Sequence, residues 1–233
     1  MSNKNYVVVG GSYGIGLEIV RRLDASQNQV TVLSRTAGEL TQTGAKHFEF
    51  DATSGEVSSE WLPEQIHGLA YCPGSINLGS IRSIKPETMQ ADYLLNVIGA
   101  VRCLQACLPA MKKSGGASMV MFSTVAVGQG LPMHGSVAAA KGAIEGMTRS
   151  FAAELAPTVR VNCVAPSITD TPLAEKLLSS DQKKAAMGER HPLKRIGSVD
   201  DIAAIAEFLL SDQSSWVTGQ VIHADGGMST LRV

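Results

Sequence analysis

Glycines 10, 14 and 16 in "VGGSYGIGLEIV" stand where a short apolar run gives way to a segment with helical apolar spacing. Glycine lets the backbone turn sharply and come close to a pyrophosphate, while the first turn of the helix offers unpaired N–H groups and a partial positive charge. A turn of this kind after a first strand is a phosphate cradle, and Ile15 lies inside it. The spacing departs from the common G-x-G-x-x-G, whose third glycine would fall at Ile19, so an ordinary strand-to-helix turn remains the alternative. About twenty residues beyond the glycines, an NAD site places an acid against the ribose 2′-hydroxyl. Here the residues are Ser34 and Arg35. A guanidinium suits the 2′-phosphate of NADP(H), which an acid would repel, so the pair predicts NADP(H); a solvated loop arginine is the competing reading.

A second group of chemistry-bearing residues lies past the midpoint. "HGSVAAAKGAIEG" (134–146) places Lys141 in a helix of small residues, with Val137 one turn earlier. Thr124 closes an apolar run thirteen residues before Val137. Cys72, Cys103, Cys107 and Cys163 form no C-x-x-C pair. Buried free thiols account for all four, and no metal site is expected.

Strands and helices in alternation must position these residues. The apolar runs 6–11, 29–34, 47–51, 68–74, 118–124, 159–166 and 220–227 are short and rich in β-branched or aromatic residues, as strands are. Between them Ile15, Ile19 and Leu23, and Ile202, Ile205, Phe208 and Leu209, recur at helical spacing. The alternation implies a parallel sheet covered on both faces. The stretch 167–198, polar and partly helical, reads as a substrate-binding loop insertion. A net charge of −1 with scattered Lys and Arg argues against a nucleic-acid or anionic-membrane partner. The start "MSNKNYVVVGG" has neither a spanning helix nor a signal-peptide pattern, so a cytoplasmic protein is expected.

The early glycines, Asp51 closing the third run, Asn96 in "LLNVIGA", Thr124, "AAAKGAIEG", "VRVNCVAPSITDTP" and "GSVDDIA" with "SWVTGQVIHADGG" occur in order along nearly the whole chain. Together they resemble the short-chain dehydrogenase/reductase family. The resemblance implies an α/β fold: a three-layer, doubly wound Rossmann-type domain with a seven-stranded parallel sheet, spanning 1–233 and binding NAD(P). It also implies a small-molecule substrate, and a homotetramer or homodimer built partly from helices near residues 90–112 and 136–154. Family residues that contact the cofactor fall on Gly10, Gly14, Ile15, Gly16, Arg35, Asp51, Lys141 and Thr171, with Asp51 at the adenine. Ser34 and Gly74 complete that set, Gly74 lying in the "YCPG" that replaces an Asn-Asn-Ala-Gly turn. Val9 replaces the threonine before the first glycine, and Ser167 replaces a glycine after Pro166. Catalytic positions fall on Asn96, Thr124, Val137 and Lys141.

The family's reaction moves a hydride between nicotinamide C4 and a carbonyl or carbinol carbon while a tyrosine handles the hydroxyl proton. Its lysine, four residues on, holds the nicotinamide ribose and lowers the phenol's pKa from about 10. That tyrosine is Val137 here, which can neither donate nor accept a proton. Tyr6, Tyr13, Tyr71 and Tyr93 do not map to the missing phenol. His134, Lys141, or a water between Lys141 and Thr124 are the candidate substitutes. Thr124 retains a hydroxyl able to polarise a substrate oxygen, unless local backbone absorbs it. Three readings follow: an NADPH-dependent reductase with altered proton delivery, a non-redox isomerase, dehydratase or decarboxylase, and a catalytically silent NADP-binding protein. Leu173, Leu177, Leu178 and Met187 in the insertion fit a small or medium, partly apolar substrate.

Overall fold

The computed structural model describes residues 3–232. Seven strands, β1 (Asn5–Val9), β2 (Gln29–Ser34), β3 (Lys46–Glu49), β4 (Gly68–Tyr71), β5 (Ala117–Phe122), β6 (Val159–Pro166) and β7 (Val221–Ala224), form one sheet. Every pairing is parallel and the order is β3-β2-β1-β4-β5-β6-β7. The winding reverses between β1 and β4, and ligands of open α/β sheets bind in the crevice at the carboxyl ends of the strands beside such a switch.

The period-two alternation of strands explains the three layers. Val7 and Val9 of β1 face one side of the sheet, while Tyr6 and Val8 face the other. On the first side they join Cys103, Cys107 and Met111 of α3 (Gly99–Lys113) and Ala140 and Ile144 of α5 (Gly135–Leu155), with α2 (Pro86–Tyr93) and α4 (Ala126–Gln129) at the strand ends. On the second they meet Leu17, Ile19, Val20 and Leu23 of α1 (Gly14–Ala25) and Ile202, Ala203, Ala206 and Leu209 of α7 (Val199–Leu210). The helical run Pro86–Lys113 is long and apolar enough to cross a membrane by length and composition. Its apolar positions Cys103, Cys107 and Met111 are instead fully buried in the core.

Three expectations change. Five runs end early as strands: β1 at Val9, β3 at Glu49, β4 at Tyr71, β5 at Phe122 and β7 at Ala224. After β4 the chain reaches Pro73, which has no N–H for a ladder, and after β7 it enters Gly226 and Gly227 at positive φ. Asp51 therefore lies two residues past β3 and Thr124 two past β5, both on crevice loops. Phe208 is 39% exposed, because it sits about 100° around the helix from Leu209 and outside the arc centred on Ile202, Ala206 and Leu209. The insertion 167–198 holds one α-helix, α6 (Asp181–Gly188), and a 3-10 turn at Pro172–Ala174, and its ends are joined by a parallel bridge between Thr169 and Gly197.

Candidate active site

At the β1 to α1 turn, Gly10 has φ +75° and Gly14 has φ +56°, the region that favours glycine. A Cβ on Gly16 would lie 2.3 Å from the Gly10 carbonyl oxygen, so backbone approaches backbone there with no room for a side chain. Buried Ser12 braces the turn, sharing a 2.5 Å hydrogen bond with Ser34 Oγ and bonding the Thr36 carbonyl. Ser34 Oγ also lies 3.0 Å from the Thr36 carbonyl and 3.1 Å from His47 Nε2, so its hydroxyl shapes the end of β2 from within. Arg35, the next residue, is exposed. Asp51 Oδ1 accepts from the Thr53 hydroxyl at 2.6 Å and the Thr53 N–H at 2.8 Å. Those two bonds, helped by the Arg35 charge and opposed by partial burial, hold its carboxyl below the usual range.

Across the crevice, a cavity of about 360 Å³ is walled by Ile15, Thr124, Val137, Lys141 and Thr171 among others. Lys141 is buried, and desolvation pushes its amine down to about 8, against the pull of Cys163, Cys72 and Asp92. Gly74 stands between Lys141 and Asn96: a Cβ on it would lie 3.3 Å from Lys141 Nζ and 3.5 Å from Asn96 Oδ1. Asn96 sits in a π turn, Leu94–Ile98, joining α2 to α3, and such turns recur at functional sites. Its Nδ2 donates to Ser75 Oγ at 3.1 Å and to the Asp92 carbonyl at 2.8 Å, whereas its Oδ1 is buried and unpartnered. Val137, one turn before Lys141, is 5% exposed. Thr124 Oγ1 accepts from the Ala126 N–H at 3.3 Å, which leaves its own proton free. Thr171 covers the glycine turn, its Cγ2 3.5 Å from where a Cβ on Gly14 would be.

The fold thus gathers Gly10, Gly14, Ile15, Gly16, Gly74, Asn96, Thr124, Lys141 and Thr171 along one crevice, with Ser34, Arg35 and Asp51 at its far end. His134 stands at the N-cap of α5 without a side-chain cap, its Nδ1 2.7 Å from the Pro132 carbonyl, and also borders the cavity. Sequence reading missed Asp92, a buried acid whose Oδ1 accepts from Ser75 Oγ at 2.5 Å and Asn77 Nδ2 at 2.6 Å and whose Oδ2 accepts from Ser136 Oγ. Its position one turn before Asn96 was the available signal. Among the described residues no cluster of His, Cys, Asp or Glu suits a metal ion, and the four cysteines are free.

Residues 10–229 match the family described as Enoyl-(Acyl carrier protein) reductase. The chain is 31% identical to 2-(S)-hydroxypropyl-CoM dehydrogenase 3 of Xanthobacter autotrophicus, covering 99% of this chain and 98% of that protein. It belongs to the short-chain dehydrogenase/reductase family. The human Dehydrogenase/reductase SDR family member 4 is 30% identical over 97% of this chain and 88% of its own length. Among solved structures, the ligand-free aldohexose dehydrogenase of Thermoplasma acidophilum superposes with a TM-score of 0.88 at 27% identity, covering 99% of this chain and 95% of that one. As a short-chain dehydrogenase/reductase the chain is an oxidoreductase of small molecules, with a Rossmann-type fold and an NAD(P) site.

Proposed function

We propose that this protein is an NADPH-dependent oxidoreductase acting on a carbonyl or alcohol of a small to medium, partly apolar molecule, with its proton supplied from somewhere other than residue 137. The observation that carries this reading is the orphaned, buried Asn96 Oδ1 set beside the buried Lys141 amine, one on either side of Gly74. Buried polar groups are normally paired, so such a pair fits a ligand that completes it. The glycine turn fits the same ligand, since a Cβ on Gly16 would fill the cradle.

Gly10, Gly14, Ile15 and Gly16 would hold the pyrophosphate, Arg35 the 2′-phosphate, Asp51 the adenine, and Lys141 with Thr171 the nicotinamide half; Ser34 shapes the ribose end. The bound nicotinamide supplies or accepts the hydride at C4. Thr124 turns its free hydroxyl proton to the substrate oxygen, Lys141 and Asn96 orient the ribose, and Val137 contributes an apolar wall. That buried valine also favours a second reading, a non-redox enzyme or silent NADP-binding protein. We take residues 1–233 as one domain with 167–198 as its substrate loop, and the cytoplasm as its compartment, which suits four free thiols. A homotetramer or homodimer through the outer face of α2 and α5 is supported by Met89 and Tyr93, 40% and 46% exposed beside Ala139; a monomer mass by light scattering removes it.

Fluorescence titration with NADPH and NADH tests the cofactor. One or two charge-assisted bonds from Arg35, at roughly 1.5 to 3 kcal/mol each, give NADPH a preference of about tenfold or more. Equal affinities, or unchanged NADPH binding in Arg35→Ala, would refute that choice. NADPH oxidation over a panel of small ketones and quinones tests the chemistry: wild type turns over and Lys141→Ala does not. A wild type that binds NADPH yet reduces nothing moves the non-redox reading to the front.

A further inference from the structure

We propose that Ser167 and His191 form the proton relay of this site: Ser167 Oγ gives its proton to the substrate oxygen and His191 Nε2 replaces it. The proposal rests on the reductase reading above. Ser167 directly follows β6, and the backbone there runs beside the end of β5, with Ser123 N–H on the Val164 carbonyl at 2.8 Å and Val125 N–H on the Pro166 carbonyl at 3.1 Å. Ser167 therefore leaves the sheet next to Thr124. His191, 2% exposed, comes from the turn after α6 and presents Nε2 to Ser167 Oγ at 2.8 Å. Both side chains border the cavity that holds Thr124, Val137 and Lys141.

The hydrogen bonds around the ring define its two states. His191 Nδ1 is 2.9 Å from the Met187 carbonyl, which can only accept, so Nδ1 carries a proton and Nε2 is left facing the hydroxyl. In the neutral ring Nε2 accepts from Ser167. In the charged ring Nε2–H donates to Ser167 Oγ, and the serine proton turns to Met228 Sδ at 3.2 Å. A thioether is a weak acceptor, so a substrate oxygen takes its place readily. A hydroxyl, a base within hydrogen-bond reach and a third group orienting that base make an activated serine. The turn is held in place by Leu193 N–H on the Gly226 carbonyl at 3.2 Å and His191 N–H on the Gly188 carbonyl at 2.9 Å. His134 has its Nδ1 fixed by Pro132 but no partner for Nε2 among the described residues, so it lacks the second half of such a relay.

In the reducing direction the carbonyl carbon gains a hydride, for which the dihydronicotinamide is the reductant, and the carbonyl oxygen takes the Ser167 proton. The Ser167 O–H bond breaks as the substrate O–H forms. The His191 Nε2–H bond then breaks to restore the serine hydroxyl, leaving a neutral ring with Nδ1–H on Met187. Oxidation runs the same transfers backwards.

The first test needs no turnover. The full chain without cofactor is treated with diisopropyl fluorophosphate, whose phosphorus bonds Ser167 Oγ as fluoride leaves and His191 takes the proton. Peptide mass spectrometry should find the label on Ser167, at least about tenfold slower to form in His191→Gln and absent in Ser167→Ala. An unlabelled Ser167 in the wild type overturns the proposal. The second test uses NADPH and the ketone and quinone panel. Ser167→Ala should lower kcat by about 10²-fold or more with little change in KM, and Ser167→Thr should keep most of the rate. His191→Ala should recover with added imidazole and not with pyrrole, which has the ring but no basic nitrogen. Unchanged kcat in Ser167→Ala, or equal recovery with pyrrole, overturns the relay. A labelled Ser167 in a protein that reduces no carbonyl supports the activated pair and overturns the reductase reading instead.

Discussion

Lys141→Met should stabilise the protein without cofactor while removing its chemistry. Burial depresses the Lys141 amine from its ordinary 10.5 to about 8, and no side chain hydrogen-bonds it among the described residues. At about 1.36 kcal/mol per decade, the charged amine is disfavoured in the folded state by on the order of 3 kcal/mol. Below pH 8 it is protonated in both folded and unfolded chains, so the whole penalty applies. Between about 8 and 10.5 the folded amine is neutral while the unfolded chain still binds a proton, and stability climbs with pH. Methionine has similar length and no charge, so its advantage should be about 3 kcal/mol at pH 7 and under about 1 kcal/mol at pH 10. At pH 7 that corresponds to roughly 6 to 12 °C in Tm for a domain of this size. Urea unfolding of both proteins at equal concentration and at the two pH values reads it. A Met variant no more stable than wild type at pH 7, or an advantage that does not shrink with pH, refutes the reasoning.

Gly16→Ala should abolish binding of both dinucleotides and lower stability by about 1 to 3 kcal/mol, because its Cβ would meet the Gly10 carbonyl at 2.3 Å with backbone on both sides. Normal NADPH titration in that variant would show that this turn is not the cradle. The capping box of α7 pairs Ser198 with Asp201, and Arg195 binds the same carboxylate at 2.6 and 2.8 Å. Those bonds hold the Asp201 carboxyl far below its usual range, so the stability they give is present above about pH 4 and lost as pH falls towards the folded value. Arg195→Ala should accordingly be less stable than wild type at pH 6, by a margin that shrinks as pH falls below about 4, measured by urea unfolding.

The sheet was legible because its inner strands are buried on both faces, which makes a parallel strand an unbroken apolar run such as "YVVVGG" or "SMVMFST", while the edge strands β3 and β7 are only partly buried. The runs overshot where apolar letters continue into Pro73 or the Gly226–Gly227 turn, since hydropathy does not register the loss of ladder hydrogen bonds. Phe208 misled for a related reason: apolar residues three or four apart can still straddle the edge of a buried arc. Of the crevice residues, the glycines and Lys141 could be read from local spacing, because a turn or a helix face brings them together. Thr124 has its oxygen bonded to local backbone, the local alternative for its hydroxyl, while its proton is free. Ser34 stands at the position that marks cofactor choice, yet its hydroxyl is tied to Ser12 and Thr36. Ser167 and His191 are 24 residues apart, and only the folding of α6 back onto the crevice puts them 2.8 Å from each other. No local pattern carries that contact.

Moving the proton donor off α5 has a consequence that a double-variant cycle reads. A tyrosine at 137 and the Ser167 hydroxyl would border the same cavity and serve the same substrate oxygen, which needs one proton per turnover. With Ser167 intact, Val137→Tyr supplies a second donor for a step already supplied, and the added ring crowds a wall now packed around valine, so kcat should change by less than about tenfold. In a Ser167→Ala background the phenol replaces the lost proton donor, and with Lys141 one turn away to lower its pKa it should raise kcat by about 10²-fold. Residues that share one task are non-additive, and here the coupling appears as a rescue confined to the serine-less background. The same fold-change from Val137→Tyr in both backgrounds would mean that Ser167 gives no proton to the reacting oxygen, whatever its reactivity towards diisopropyl fluorophosphate.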